Sequence, residues 1–209
     1  RSAVRATYDA FGSERYVLAF DDTRLREVAA AAPYDFIEIV VNDRKYGGGG
    51  IHNLYATVSA DNEFTPYVFV HEFGHHFAGL ADEYYTSDVA YETGAAEHPE
   101  PWEPNVTALH DPARLKWRDL VEPGTPLPTP WEKEAFEARS REIQAERRKI
   151  RAEKRPESEM GALFTRQRDE EEKRLGAETH AHRVGAFEGA NYEAKGYFRP
   201  QANCIMFTR

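Results

Sequence analysis

His71, Glu72 and His75 form an H-E-x-x-H pattern inside the stretch "VFVHEFGHHFAGLADEYY", residues 68–85. On an α-helix each residue advances about 100°, so residues four apart stand about 40° from each other, one turn up the same face. Two imidazoles placed this way can share one metal ion at a Zn–N distance of about 2.0–2.1 Å. Glu72 points to the side of that pair, where a carboxylate can hold a metal-bound water and take its proton. The metal lowers the pKa of that water toward about 7 and polarises a carbonyl, and the glutamate passes the proton to the leaving amine. The pattern thus points to zinc and to hydrolysis by a metal-activated water. It supplies only two protein ligands, and a catalytic zinc needs three.

Asp82 is a candidate for the third. It follows His71 by 11 residues, which on a continuous helix is favourable in angle, about 20°, but too far in rise, about 16 Å at 1.5 Å per residue. Asp82 can join the pair only if the helix stops after His75 and the chain doubles back. Gly79 can provide the stop, because glycine readily takes the left-handed conformation that ends helices. Glu83 is the adjacent rival. His76 sits about 100° from His75 and reads as a packing or surface residue, not a ligand. His52, His98 and His110 have no partner at ligand spacing, and His180–x–His182 matches a metal pair only on a strand.

The surrounding elements must deliver this helix. "RYVLAF" (15–20) reads as a strand, "TRLREVAAAA" (23–32) as a helix capped by Thr23 and ended by Pro33, and "YDFIEIVVN" (34–42) as a second strand. This β-α-β order favours a parallel pair covered by a helix. "GGGG" (47–50) reads as a mobile turn, "NLYATVS" (53–59) as a strand, and Thr65 and Pro66 as the cap and first turn of the metal helix. The proline- and tryptophan-rich segment 99–130 reads as loop or wrapping chain. Residues 131–175 hold 12 acidic and 13 basic residues, against a net charge of −9 for the 209-residue chain. They read as a charge-laced helical insertion, a hairpin turning near Pro156, between core segments 1–130 and 176–209.

Composition narrows the function classes. A hydrophobic content of 41% supports a buried core, and net acidity with no basic cluster argues against nucleic acid as the main partner. No run of about 18 apolar residues is available to span a membrane. The chain begins at Arg1 and reads as an excised fragment, so the lack of a signal segment says nothing of the parent protein. Its one cysteine, Cys204, has no disulfide partner within these residues.

A helix carrying H-E-x-x-H, a glycine break, and a ligand three residues after the glycine resembles the metzincin metallopeptidases. Here Gly79 and Asp82 each come one residue later than in the usual pattern, while the glycine-to-ligand step is kept; Ala78 and Ala81 stand at the usual positions and cannot ligate. "NCIMF" (203–207) places Met206 where the metzincin Met-turn falls. Together with "VHEFGHHFAGLADEYY" and "GAFEGANYEAKGYFRP", these segments resemble the bacterial IgA-peptidase-like family.

The resemblance implies an α/β (α+β) metzincin-like catalytic domain with a twisted mixed sheet, an active-site helix and a Met-turn. It implies zinc on His71, His75 and Asp82, with Glu72 as general base of a zinc endopeptidase. It further implies a protein or peptide substrate added to an edge strand near Leu54 and Ser59, and a secreted or cell-envelope location. It carries no substrate identity. Tyr84, Tyr85, Tyr192 and Tyr197 are candidate oxyanion donors, Glu188 a candidate cleft residue, and Arg199 a candidate ligand for a substrate carboxylate. Two other readings stand beside this one. One is a gluzincin-type hydrolase with Glu188 as third ligand. The other is an inactive, zinc-stabilised binding or adhesion module, against which the presence of Glu72 speaks, because a structural site needs no base.

Overall fold

The computed structural model describes residues 3–86 and 98–208. It divides into two compact units, Arg1–Leu80 and Ala81–Arg209. Among the described residues the class is mixed α and β, with four α-helices and three small sheets.

In the first unit the chain order is β1 (Ala6–Thr7), β2 (Leu18–Ala19), α1 (Asp22–Ala29), β3 (Glu38–Val41), β4 (Gly48–Ile51), β5 (Tyr55–Ser59) and α2 (Thr65–Ala78). Helix α1 starts before Thr23: Asp21 is the N-cap, and its carboxylate accepts from Arg24 N at 2.9 Å. A charged acceptor at that position also meets the positive end of the helix dipole.

The expected parallel pair of 15–20 with 34–42 does not form. β3 instead runs parallel to β5, and β2 pairs antiparallel with β1. Residues 15–17 join β4: Val17 N donates to Gly48 O, and Gly48 N to Arg15 O, both at 3.0 Å. The Tyr55 hydroxyl pins the next turn of chain, accepting from Ala19 N at 3.0 Å and donating to Ala19 O at 2.9 Å. Leu18, Ala19, Leu25, Ile39 and Tyr55 close a core beneath α1.

Two expectations about this sheet are corrected. The strand order is β3-β5-β4, so the stretch between Leu54 and Ser59 holds a central strand, with all five β5 residues buried, and not the edge. Its side chains meet protein on both faces, as in other fully covered strands. The glycine run is a strand, not a mobile turn. β4 lies antiparallel on β5 with Gly48 opposite Val58 and Gly50 opposite Ala56. A Cβ on Gly48 would stand 2.5 Å from Val68 Cγ1 and 3.0 Å from Glu72 Cγ. A Cβ on Gly50 would fall on the Glu72 carbonyl oxygen and 2.8 Å from His75 Cβ. Glycine is required at both positions because α2 packs directly on the strand backbone.

The second unit carries α3 (Lys133–Ala152), α4 (Glu157–Gly176), β6 (Phe187–Ala190) and β7 (Glu193–Arg199). Residues 99–130 form loop with two short 3-10 turns. α3 buries Phe136, Ile143 and Ile150 at seven-residue spacing, and α4 answers with Met160, Leu163, Phe164 and Leu175. Pro156 caps α4 and turns the hairpin. Outside that seam, Arg139 holds Glu170 through two bonds of 2.7 and 3.0 Å. No helix among the described residues is long and apolar enough to cross a membrane.

Gly50→Ala is expected to destabilise the chain by about 1–3 kcal/mol or more, since the new methyl meets backbone that cannot step aside. Gly176→Ala, with nothing within 4 Å of its added Cβ, is expected to be neutral or to stabilise by up to about 1 kcal/mol. Thermal melts of the two variants check this; equal melting temperatures would remove the close-packing argument.

Candidate metal centre

Helix α2 begins where the sequence suggests, with a different device. Thr65 is its first residue, not its cap, and Thr65 Oγ1 donates to Ser59 O at 2.7 Å, tying the helix to the end of β5. Asn62 Oδ1 accepts from Phe64 N at 3.0 Å at the entry. Gly79 ends the helix in the left-handed conformation, φ +62° and ψ +33°, and its N–H bonds His75 O at 3.1 Å. The chain turns back at once, which brings the Leu80 carbonyl to 2.5 Å from His75 Nδ1.

His71, Glu72 and His75 each bring a ligand atom within 4.8 Å of the others, the one such metal-capable group among the described residues. The His71 and His75 Nε2 atoms lie 3.2 Å apart, with ring planes at 84°. Two nitrogens at about 2.05 Å from a tetrahedral zinc stand about 3.3 Å apart, so the pair fits a shared ion. The tautomer fits too. A carbonyl only accepts, so His75 Nδ1 carries the proton facing Leu80 O, and Nε2 keeps the lone pair that a metal needs. Tyr67 OH lies 3.4 Å from His71 Nδ1 on the helix turn before. His76 is buried and lies outside the metal-capable group. Ile37 N donates to its Nε2 at 3.3 Å, and burial lowers its pKa.

Glu38 was not anticipated. It sits on β3 in register with Ala56, which is itself opposite Gly50, so its side chain leaves the sheet on the α2 face. Both carboxylate oxygens are buried without a hydrogen-bond partner. Burial, and then the neighbouring Glu72 charge, push its pKa up to about 7. Acidic residues within an apolar strand carry no sequence signal of this kind.

Asp82 opens the second unit and is 7% exposed. Its Oδ2 accepts from Tyr84 OH at 2.8 Å and from Tyr192 OH. Glu83 points elsewhere: Asn105 Nδ2 donates to its Oε1 at 2.9 Å, Cys204 Sγ to its Oε2 at 2.8 Å, and its own N–H to Met206 O at 2.8 Å. Asn105 also closes on Ala81, accepting from its N–H at 2.8 Å and donating to its carbonyl at 2.9 Å. Met206 is 2% exposed, in a turn closed by Phe207 N and Thr208 N on Cys204 O. Sequence reading missed Asn105 and the Cys204 thiol, since a lone amide or thiol has no spacing to betray it.

Two other candidates are occupied. Arg199 is fully buried, so it is no ligand for a substrate carboxylate. It donates to Gly189 O at 2.7 Å and Ala202 O at 3.1 Å, with its guanidinium 3.6 Å from the Phe207 ring centre. Burial lowers its pKa to about 10, still charged at neutral pH. Glu188 pairs with Lys133 at 2.8 Å. His180 and His182 lie in a turn, not on a strand. Tyr85 and Tyr197 are buried in the second unit's apolar clusters.

Because the folded-state pKa of Glu38 is raised to about 7 from an ordinary 4.5, its proton favours the fold below about pH 4.5, and that contribution is lost as pH rises through 7. Glu38→Gln is therefore expected to raise the melting temperature of the metal-free chain at pH 8 by at least about 2 °C and to leave it unchanged at pH 4. Melts at the two pH values test this, and an equal shift at both would remove the titration as cause.

No curated protein matches the chain. The family model described as IgA Peptidase M64 matches it over residues 1–209. The helix that brings two imidazoles and a carboxylate together thus lies within a peptidase match that spans the whole sequence, and the chain belongs to the IgA Peptidase M64 family.

Proposed function

We propose that the chain is a zinc-dependent endopeptidase of metzincin type, acting on extended protein substrates. The observation that carries this is the 3.2 Å approach of the His71 and His75 Nε2 atoms, with Glu72 on the same helical turn. His71 and His75 would hold a zinc, which would supply Lewis acidity for polarising a scissile carbonyl and activating a water. Glu72 accepts the proton of the attacking water and returns it to the departing amine. His75, held by Leu80 O, keeps its ligand nitrogen oriented.

Asp82 is the third ligand in this reading. The support is local: the helix ends at a left-handed Gly79, Leu80 turns back onto His75, and Asp82 follows two Cα steps later, within about 7.6 Å of Leu80. Glu83, engaged by Asn105 and Cys204, is the weaker candidate. We read Met206 as the methionine of a Met-turn. Extended substrate is assigned to β4. Residues 15–17 already fill its outer edge at Gly48, and Gly50 further along turns its N–H and C=O away from β5, where an extended chain could continue the pairing. The location is secreted or cell-envelope. The ion pair of Glu188 with Lys133 speaks against a gluzincin arrangement.

His71→Ala and His75→Ala are expected to abolish stoichiometric zinc, measured by elemental analysis. Glu72→Ala is expected to keep zinc and to lose about 10²-fold or more in peptide cleavage. A wild-type chain that cuts nothing in a broad peptide library would favour a binding module instead.

A further inference from the structure

We propose that Tyr192 and Tyr84 are positioning residues that orient the Asp82 carboxylate for its metal, an inference that rests on the reading of Asp82 as the third ligand. Both phenols donate to the same oxygen, Oδ2, and their rings meet edge to face at 5.3 Å. A nearly buried carboxylate needs such donors. Two O–H bonds on one oxygen fix the plane of the group, as outer hydrogen bonds do for metal ligands generally.

The chain reaches this arrangement at a conformational cost. Ala190 pairs with Glu193, which leaves Asn191 and Tyr192 as a two-residue hairpin loop. Both have positive φ, +53° and +66°. Such loops favour asparagine followed by glycine, and a tyrosine in the second place is strained. The turn is held against the 82–84 segment by Asn191 N on Asp82 O at 3.0 Å and Tyr192 N on Tyr84 O at 3.1 Å. Behind it, Gly189 at φ +101° lets the hairpin pass Tyr85, whose ring a Cβ there would strike. Backbone contacts alone would accept glycine at 192. What tyrosine adds is the ring and its hydroxyl on Asp82.

The same segment is also fixed by Asn105, which bonds Ala81 and Glu83. Glu83 is held by Asn105, while the Tyr84 hydroxyl reaches Asp82. Tyr84 reaches Asp82 from two residues along the same segment, while Tyr192 is brought there by the hairpin.

The test measures zinc affinity of the full chain by competition with a chromophoric chelator, alongside thermal melts of the metal-free protein. Tyr192→Phe and Tyr84→Phe are each expected to weaken zinc binding, and the double variant by about 10–100-fold. Asp82→Asn is expected to weaken it at least as much. Affinity within twofold of wild type in both single variants, with Asp82→Asn weakened, would overturn this proposal and leave the ligand assignment standing. Unchanged affinity in Asp82→Asn would overturn the ligand assignment and this proposal with it. Should the double variant not fold, the two single variants decide. A lowered melting temperature with unaltered zinc affinity in them marks a merely structural role and counts against the proposal.

Discussion

The first unit depends on one close approach: α2 lies on β4 at a distance that leaves no room for a Cβ at Gly48 or Gly50. The contact involves the metal helix at Glu72 and His75, so the same packing that buries the strand sets the backbone from which the functional side chains leave. β4 is in turn anchored by β5 on one side and by Arg15 and Val17 on the other. A one-residue slip of β4 would put Gly49, whose Cβ side faces Leu18, against the helix and displace the glycines that fit it.

The tight sheet–helix contact has an electrostatic consequence. Glu38, aligned across the sheet with Ala56 and Gly50, is held on the helix face without hydrogen-bond partners and beside Glu72. Two carboxylates in a poorly solvated space cannot both ionise cheaply. A positive charge near Glu72 would ease that repulsion.

The second unit solves a different problem, the burial of several polar groups in one place. Glu83 is answered by Asn105 and Cys204, Asp82 by two tyrosines, and the two terminal nitrogens of Arg199 by backbone carbonyls, its guanidinium lying on aromatic faces while Nε has no hydrogen-bond partner. Groups left unanswered at such depth would cost more than their bonds return, so a network of this kind tolerates little drift. The network ties the segment 81–85 to the second unit, and the helical hairpin of α3 and α4 adds Phe136 and Leu175 to the core around Tyr85 and Phe207.

Much of this was legible in the chain itself. Local chemistry determined the metal helix, its end at Gly79, the charged hairpin turning at Pro156 and the exclusion of His76 as a ligand, because spacing on a helix and glycine's left-handed freedom act within a few residues. The partners were not legible. Which strand lies beside which, that a run of four glycines is a strand under a helix, that β5 is central, and that Glu38 faces Glu72 all depend on contacts between distant residues. Glycine in particular has no side chain with which to declare a face, so only the approach of α2 gives the run its meaning. The same holds for Tyr192: its identity shows a phenol, and only the hairpin that bends it onto Asp82 shows what the phenol touches.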